Sequence, residues 1–397
     1  MSKNQYLETG DKKSCFGCTA CVVGCPASAI QMKADAEGYL YPVVDEALCI
    51  NCSICQKVCP VTKHEEGSCQ GVIAAKSKDD NERFKSTSGA VFPLLAEYVL
   101  NRGGLVCGVV YDDNFNVVHI LTSKPVEMQK MRGSKYVQSN LGTIFADIYE
   151  ALACRMVLFS GTPCQCDGLR QYLLFKKANL ENLYLVDLIC GKTPSPKVWS
   201  DYVDYLERTY KGKLTSFTCR SKAGGWQYPY SQVTINNDDI SARVNKDCSW
   251  MQLFTISELS RPSCYVCPYT KLNRNSDLTI GDFWGVEKSL PKFTDNHGIS
   301  LLLIHNSKGK ELFDGIQSDL YWINSNKDDC LQNRLIAPSP EPEERSAFWD
   351  LYQKKGIDAV ITTRGRRSHV KIIVLKYLLP MARRLKLYDV LWTIYHQ

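Results

Sequence analysis

Hydrophobic positions after about residue 70 alternate between continuous apolar runs, which predict buried strands, and stripes at helical spacing. A helix is expected to begin after Ser88, which we expect to act as its N-cap. The apolar run of Leu105–Tyr111 predicts a buried strand, and a second helix is expected near Thr143–Ala153. The apolar face of the first helix is formed by Val91, Leu94, Leu95, Tyr98 and Val99. This alternation predicts an α/β architecture.

The clearest example of the pattern is a strand, a helix and a second strand in direct succession. The strands are expected at Met156–Ser160 and Leu183–Ile189, with a helix over about Cys166–Lys176 between them. Such a crossover makes the two strands parallel neighbours. Cys164 and Cys190 would then both lie just past the carboxyl ends of adjacent strands, the edge at which open α/β sheets bind ligands.

Cysteine spacing, rather than hydrophobic periodicity, organises the first 66 residues. Two runs in this region have the same spacing, C-x2-C-x2-C-x3-C-P. This spacing is typical of bacterial dicluster ferredoxins, in which the fourth cysteine of each run binds the other cluster. The expected ligands are Cys15, Cys18, Cys21 and Cys59 for one 4Fe–4S cluster, and Cys49, Cys52, Cys55 and Cys25 for the second.

The spacing has a physical reason that also weighs against zinc. Two residues between ligands let a tight loop place three thiolates on three corners of one cubane, and Pro26 and Pro60 fix the exit direction. The alternative is a pair of zinc sites, but zinc needs only four ligands in two pairs. Two runs of four cysteines give eight ligands at the wrong spacing for zinc, so iron–sulfur clusters are favoured.

Composition bounds the class of protein. The 397 residues suggest two or three domains, and 44% hydrophobic with 23% charged residues exclude a wholly disordered chain. The first residues contain no apolar stretch of the signal-peptide type, and no run approaches about 18 apolar residues. We therefore expect a cytoplasmic protein whose 19 cysteines stay reduced, where clustered thiols indicate metal ligands.

The net charge of +6 is concentrated at the C-terminus. Residues 364–397 contain eight Lys or Arg side chains and one acidic side chain, a net of +7, so the rest of the chain sums to −1. A nucleic-acid interface across the body is therefore not expected. Residues 338–344 predict an extended linker. Three alternatives stay open for the basic, apolar tail: peripheral contact with the inner membrane surface, binding of an acidic partner, or packing on the protein's own core.

Four further cysteines form a weaker pattern. Cys264 and Cys267 are a C-x2-C pair, and together with Cys164 and Cys190 they would supply four ligands for a third cluster. The spacing of the pair is moderately specific, whereas the two single cysteines are weak evidence. The alternative is that Cys164 and Cys190 are ordinary buried thiols, which is a common fate of cysteine.

The chain resembles the beta subunit family of coenzyme F420 hydrogenases and dehydrogenases, in the form with a fused N-terminal ferredoxin. The resemblance rests on the order of seven segments between residues 86 and 285. They are STSGAVFPLL (86–95), MRGSKYVQSNLG (131–142), LFSGTPCQCDGL (158–169), VDLICGKTPSPKVW (186–199), CRSKAGGWQ (219–227), RPSCYVCPYT (261–270) and SDLTIGDFWG (276–285). One departure is visible: Gly191 follows Cys190 where the family usually has a histidine.

The resemblance implies FAD and a core 4Fe–4S cluster, with Cys164, Cys190, Cys264 and Cys267 as its ligands. Hydroxyls and a cation in the loop around residue 135 would bind the flavin pyrophosphate or a ring carbonyl. Lys135 or Lys222 would stabilise the anionic reduced flavin, and Trp226 or Trp284 would stack on a planar ring. The candidate flavin-binding residues are Ser134, Lys135, Tyr136, Ser139, Thr162, Lys222, Trp226 and Asp282. Lys222 and Asp282 are the candidate catalytic residues. Asp282 is expected to lie just after a strand at Leu278–Ile280.

The expected architecture is a dicluster ferredoxin domain over residues 1–66, a mixed α/β flavin-binding core with a partly parallel sheet over 67–335, and a linker with a basic amphipathic tail over 336–397. The expected function is an oxidoreductase that passes electrons from a ferredoxin or redox subunit through the clusters to FAD, and on to a small organic substrate or an F420-like deazaflavin. Two alternatives are an electron-transfer subunit without its own substrate and a non-catalytic iron–sulfur scaffold.

Overall fold

Strands and helices alternate along most of the chain. The computed structural model describes residues 5–63, 66–228 and 230–365. The strands in these residues are β1 (Ile30–Ala34), β2 (Leu40–Val44), β3 (Gly71–Ser77), β4 (Leu105–Tyr111), β5 (Val117–Thr122), β6 (Val157–Gly161), β7 (Leu183–Leu188), β8 (Leu214–Ser221), β9 (Tyr230–Ile235), β10 (Asp238–Asp239), β11 (Leu278–Asp282), β12 (Ser300–Ile304) and β13 (Leu320–Asn324). The α-helices are α1 (Tyr6–Thr9), α2 (Ala20–Val23), α3 (Ile54–Lys57), α4 (Asp80–Lys85), α5 (Val91–Leu100), α6 (Pro125–Lys130), α7 (Ile144–Ala151), α8 (Pro163–Phe175), α9 (Pro196–Tyr210), α10 (Ser241–Asp247), α11 (Trp250–Thr255), α12 (Val286–Ser289), α13 (Ser307–Ile316), α14 (Asn333–Ile336) and α15 (Arg345–Val360).

The main sheet has eight strands in the order β13-β3-β12-β11-β7-β6-β4-β5. Its four central strands, β11, β7, β6 and β4, are parallel to one another, and the outer pairs are antiparallel. β6 pairs with β7 from Val157 opposite Leu183 to Gly161 opposite Asp187. The strand–helix–strand unit and the expected fold class, a mixed α/β core with a partly parallel sheet, are both confirmed.

Helices cover both faces of this sheet. Leu158 of β6 belongs to one buried cluster with α5 and α13, whereas its neighbours Val157 and Phe159 belong to another with α7 and α8. Successive side chains of a strand point to opposite faces of the sheet. The central strands are largely apolar because both of their faces are buried, and for this reason β4, β6 and β7 were recognisable as apolar runs.

A smaller antiparallel sheet, in the order β10-β9-β8, carries a cluster of aromatic residues. The ring of Phe217 in β8 lies 4.9 Å from that of Trp199 in α9, and the ring of Trp250 in α11 also lies 4.9 Å from it. Phe348 and Trp349 of α15 belong to the same buried cluster. This second hydrophobic core lies outside the predicted strand–helix pattern, because its aromatic residues come from distant parts of the chain.

The N-terminal region consists of the β1–β2 hairpin and the short helices α2 and α3, each of which begins within a cysteine run. It packs directly on the rest of the molecule. The Tyr39 hydroxyl donates hydrogen bonds to the carbonyls of Thr193 and Leu259, and Arg345 forms an ion pair with Glu37. The dicluster region and the core are therefore in close contact across a partly charged interface.

Three local expectations differ from the structure. Ser88 does not cap α5, because its hydroxyl donates to the Ile299 carbonyl and Ala90, with φ 65°, is the N-cap residue. α8 begins at Pro163 rather than near Cys166, so Cys164 lies inside its first turn. Asp282 is the last residue of β11 and does not follow the strand.

The basic tail lies largely outside the described residues, since those end at residue 365. α15 turns sharply at Gly356, whose φ is 71°. Among the described residues no helix is both long and apolar enough to cross a membrane. The bounds of the three expected domains and the fate of the tail stay predictions.

Candidate functional site

A cavity of about 610 Å³ opens at the edge of the main sheet where the parallel strands β6, β7 and β11 end. This volume is within the range of ligand and cofactor sites, roughly 300–1,000 Å³. The strands contribute Gly161, Leu188 and Asp282 from their carboxyl ends. The site is therefore at the edge predicted from the strand–helix–strand unit, because parallel strands present their carboxyl ends together.

Two of the four core cysteines line this cavity, namely Cys164 in the first turn of α8 and Cys190 after β7. Cys264 lies in the 3₁₀ helix Pro262–Val266, and Cys267 ends it. The four thiols are neighbours, because the ionisation of Cys190 is influenced by all three of the others. The structure thus brings together cysteines that are up to 103 residues apart in the sequence (from Cys164 to Cys267).

The electrostatics of these thiols suit a cationic metal core. Burial raises the pKa of Cys164 to about 11 and that of Cys267 to about 12, and burial also raises the pKa of Cys190, to which repulsion by the neighbouring thiols adds. Thiols that resist ionisation on their own become thiolates when a metal supplies the compensating charge. The donor set therefore fits an iron–sulfur cluster.

In the part of the chain that the structure describes, no group of three or more His, Cys, Asp or Glu side chains is arranged to hold a single metal ion. A 4Fe–4S cluster binds each thiolate to a different iron atom, so its ligands stand farther apart than those around one ion.

Among the N-terminal cysteines, the fourth cysteine of each run lies near thiols of the other run. Cys59 influences the ionisation of Cys18 and Cys21, and Cys25 influences that of Cys55. The first group is buried against the core, since the position of a Cβ on Gly168 of α8 would be 2.8 Å from the Cys18 sulfur. The second group is nearer to solvent, where Cys52 is exposed.

Most of the candidate flavin-binding residues line the cavity. They are Ser134, Lys135, Tyr136, Ser139, Thr162 and Asp282. Two of them are tied to Gln165, which the sequence did not single out. The Gln165 amide donates to the Ser139 hydroxyl at 3.0 Å, and its carbonyl oxygen accepts from the Thr162 backbone at 3.0 Å. Gln165 thereby fixes the wall of the cavity next to Cys164.

The two candidate lysines are bound to backbone carbonyls. The Lys135 ammonium donates to the carbonyls of Lys130, Arg132 and Gly133 at 2.8–3.0 Å. The Lys222 ammonium donates to the carbonyls of Arg83 and Ser88, behind the cavity wall, and Lys222 is not among the cavity-lining residues. Burial lowers the pKa of both lysines to about 7, and for Lys222 the nearby Arg83 adds to the effect.

Asp282 is the centre of a charged and aromatic network that includes a residue missed in the sequence. Arg220 donates to Asp282 at 2.5 Å and to the Tyr136 hydroxyl at 3.1 Å. The indole of Trp226 donates to the other Asp282 oxygen at 2.8 Å. Trp226 is buried and does not line the cavity. The ring of Trp284 stacks on that of Trp226 at 4.9 Å; Trp284 lines the cavity and is 41% exposed. The segment CRSKAGGWQ was the signal that could have identified Arg220.

The cavity wall is strongly cationic. Among the described residues that line it, Asp282 is the only acidic side chain, whereas five side chains are basic. They are Arg132, Lys135, Lys192, Arg220 and Arg334. Burial and the nearby Arg334 lower the pKa of Lys192 to about 8. This balance suits a ligand with negative charge, such as a pyrophosphate, a phosphate or a carboxylate.

Comparison with known proteins gives two family matches. Residues 154–329 match the family described as the C terminus of the coenzyme F420 hydrogenase/dehydrogenase beta subunit, and residues 14–63 match the 4Fe-4S dicluster domain. No curated protein matches the chain. A chain in the xenon-derivatized structure of the F420-reducing NiFe hydrogenase complex from Methanosarcina barkeri is 16% identical, with a TM-score of 0.44, and the match covers 77% of this chain and 97% of that chain.

The matched ranges contain the cysteine groups described above. The dicluster match includes all eight N-terminal cysteines, and the second match includes Cys164, Cys190, Cys264 and Cys267. These matches indicate an iron–sulfur electron-transfer protein. A region that matches a 4Fe-4S dicluster domain precedes a region related to the C terminus of the coenzyme F420 hydrogenase/dehydrogenase beta subunit.

Proposed function

We propose that this protein is an iron–sulfur flavoprotein oxidoreductase that connects a redox protein to a small organic substrate or an F420-like deazaflavin. The proposal rests on one observation. Cys164 and Cys190 line the same cavity as the candidate flavin-binding loop, residues 134–139. A cluster bound at these cysteines and a ligand bound in the cavity would be in adjacent positions. Such adjacency is what an electron-transfer path requires.

The donor sets support three clusters. Cys15, Cys18, Cys21 and Cys59 would hold the first cluster, and Cys49, Cys52, Cys55 and Cys25 the second. Cys164, Cys190, Cys264 and Cys267 would hold the core cluster, since they are neighbours and only partly exposed. The second cluster would be the one nearest to solvent, so a partner protein would exchange electrons there.

The cationic cavity supports FAD as the second kind of cofactor. FAD, when bound, supplies the exchange between one-electron and two-electron chemistry. Arg220 would orient an anionic or carbonyl group in the cavity, because its guanidinium is itself held by Asp282 and Tyr136. Ser134 and Tyr136 would offer hydroxyls, and Trp284 would offer a flat face to a planar ring. Asp282 would act mainly by fixing Arg220 and Trp226.

Lys222 has a different role in this proposal from the one expected from the sequence. Its ammonium is bound to two carbonyls behind the cavity, so it would hold the loop that ends in Ser88 rather than contact the flavin. Lys135 would contribute charge to the cavity while holding its own loop. Both lysines are positioning residues, and the direct contacts would come from their neighbours.

The test is anaerobic purification of the full chain with metal, sulfide and flavin analysis. We expect about twelve irons and about one FAD per chain, and a paramagnetic signal after reduction with dithionite. An iron content of about eight atoms per chain would contradict the core cluster, because it accounts for only two 4Fe–4S clusters. A folded protein that contains iron but neither retains nor binds FAD would contradict the flavoprotein assignment.

A second candidate is an electron-transfer subunit without its own substrate. The observation in its favour is that the matching family is described as a beta subunit, which implies other subunits. Turnover of an organic substrate by the isolated chain with a reduced ferredoxin would contradict this candidate. Electron transfer that requires a further protein would support it.

A further inference from the structure

One buried arginine lies between the dicluster domain and the core cysteines. Arg261 is 1% exposed, and it lies three residues before Cys264. Its Nε donates to the Cys15 carbonyl at 2.8 Å, and its Nη2 is 3.5 Å from the Cys15 sulfur. The remaining donors reach the Gln138 side chain and the Leu40 carbonyl, both at 3.0 Å.

The backbone at Gly17 lies close to Arg261 and to its partner Gln138, since a Cβ on Gly17 would be 2.6 Å from Nε2 of Gln138. Gly17, between Cys15 and Cys18, has a φ of 68°, and a Cβ at this position would be 3.0 Å from Nη1 of Arg261. The ring of Tyr41 faces the guanidinium at 4.2 Å, a distance typical of a cation–π contact. The loop from Cys15 to Cys18 therefore packs closely against the Arg261 guanidinium.

Arg261 differs from the other deeply buried arginines by the absence of a carboxylate partner. Arg220 pairs with Asp282, Arg274 with Asp187 and Arg83 with Asp295. Within residues 5–63, 66–228 and 230–365, no ion pair is formed by Arg261. A buried cation without a counter-ion is costly, by several kcal/mol in general. Carbonyl and amide oxygens satisfy its N–H groups, and a nearby negative charge would offset the remaining cost.

The thiols of Cys15 and Cys264 are in position to supply that charge. Both interact electrostatically with Arg261, and each belongs to a different cysteine group. Cys15 belongs to the first group of the dicluster domain, and Cys264 to the core group. When the groups hold clusters, the thiolates and the clusters carry the negative charge that Arg261 otherwise lacks.

We infer that Arg261 is a positioning residue that serves as the shared counter-ion of the first cluster and the core cluster, and that it raises the reduction potential of the first cluster. The core half of this inference rests on the proposed function. Reduction adds one electron to a cluster and breaks no bond, so a fixed cation and an N–H···S contact favour the reduced state. Arg261 thereby keeps the electron on the buried side of the dicluster domain, next to the core.

The test is a redox titration of full-length protein, purified anaerobically, with the clusters followed by electron paramagnetic resonance and dithionite as the reductant. In R261Q the first cluster is expected to become harder to reduce by about tenfold or more in its reduction equilibrium, and tenfold corresponds to 59 mV for one electron. The second cluster should keep its potential. R261K retains the charge but loses the guanidinium contact to the Cys15 sulfur, so its first-cluster potential should still fall measurably, by less than in R261Q.

The matched control is R345Q, which removes the interface ion pair between Arg345 and Glu37 but no contact to a cysteine. It reports the effect of a weakened interface alone. Unchanged potentials in R261Q with full iron content, or equal shifts in R261Q and R345Q, would overturn the inference. If R261Q fails to fold, R261K decides: a first-cluster potential at or above the wild-type value would also overturn it.

Failure of the proposed function would be recognised separately. Wild-type protein with about eight irons and no flavin would refute the core cluster and the flavin site. The contact between Arg261 and Cys15 would still be tested in that protein, because it concerns the first cluster of the dicluster domain.

Discussion

At the scale of single residues, burial decides which charged side chains are available to a ligand. Lys135 and Lys222 each hold backbone carbonyls, although both were expected to approach a flavin. Arg220 is held by Asp282 and Tyr136 and still lines the cavity. An ammonium group can satisfy several carbonyls at once, whereas the planar guanidinium can bind partners on one edge and a ligand on the other.

The role of individual cysteines gives a first prediction. Replacing Cys164 by Ala should reduce the iron content of the anaerobically purified protein from about twelve to about eight per chain, because the core cluster loses a ligand. The matched control is Cys166→Ala, which removes a buried thiol from the same helix. We expect C166A to retain the wild-type iron content. Equal iron content in the two variants would contradict the assignment of Cys164.

The lowered pKa of Lys135 gives a second prediction. Burial lowers this pKa to about 7, so the side chain is a cation below pH 7 and becomes neutral above it. Because an anionic pyrophosphate is attracted to the cation, the affinity for FAD should fall as the pH rises through 7. One coupled proton limits the fall to about tenfold per pH unit.

Fluorescence titration of the FAD-free protein between pH 6 and 9 measures this dependence. The K135M variant keeps an unbranched side chain without the charge, and its affinity should be almost constant around pH 7. A smaller fall in the FAD affinity of K135M should persist near pH 8, since Lys192 has a pKa of about 8 and lines the same cavity. If the FAD affinity of K135M falls with pH as steeply as that of the wild type, the role of Lys135 is refuted.

At the scale of elements, α8 connects the cavity to the dicluster domain. Its first turn carries Cys164, and its second turn presents Gly168 to Cys18. The helix begins at Pro163, directly after β6. One element therefore places a core cysteine at the carboxyl edge of the sheet and supports the first cysteine group on its outer face.

Close packing at Gly168 gives a third prediction. Alanine usually stabilises a helix relative to glycine by about 1 kcal/mol. In G168A, however, the new Cβ would lie 2.8 Å from both the Cβ and the sulfur of Cys18. We expect this overpacking to destabilise the protein by about 1–3 kcal/mol, measured by denaturant unfolding of the cluster-loaded form.

The control for G168A is G224A, because the nearest atom to a Cβ on Gly224 is 3.9 Å away. G224A should change the stability by less than about 0.5 kcal/mol, as expected for an unconstrained surface position. If G168A is as stable as the wild type, the two regions do not pack as closely as the structure indicates.

At the scale of the whole molecule, the cysteine groups are arranged in order from solvent to cavity. The second group contains the exposed Cys52, the first group packs on α8, and two cysteines of the core group line the cavity. Phe16 of the dicluster domain itself reaches the cavity wall, where Gln138 donates to its carbonyl at 3.1 Å. The order fits transfer of electrons between a protein at the surface and a ligand inside.

This order gives a fourth prediction. C52A should lose about four irons and should be reduced by a protein donor such as a reduced ferredoxin at least about tenfold more slowly than the wild type, because the second cluster is the nearest to solvent. Small dithionite should still reduce the remaining clusters. The control is C154A, which removes an exposed thiol outside the cysteine groups. A normal rate with the protein donor would contradict this order.

The sequence by itself determined the features that depend on neighbouring residues. The C-x2-C-x2-C-x3-C spacing predicted the dicluster domain, because a loop of a few residues is enough to place three thiolates. The apolar runs predicted β4, β6 and β7, since strands buried on both faces need apolar side chains at successive positions. The strand–helix–strand unit then predicted the edge at which Cys164 and Cys190 lie.

Only the tertiary structure decided which distant side chains meet. Arg220 and Asp282 are 62 residues apart, and Arg261 and Cys15 are 246 residues apart. Lys222 was identified by its residue type, but its partners are carbonyls of a loop more than 130 residues earlier. Local sequence patterns carry no information about such pairs. A buried polar group takes whichever partner the packing of the whole chain brings within hydrogen-bonding distance, and that packing is fixed only when all the elements are in place.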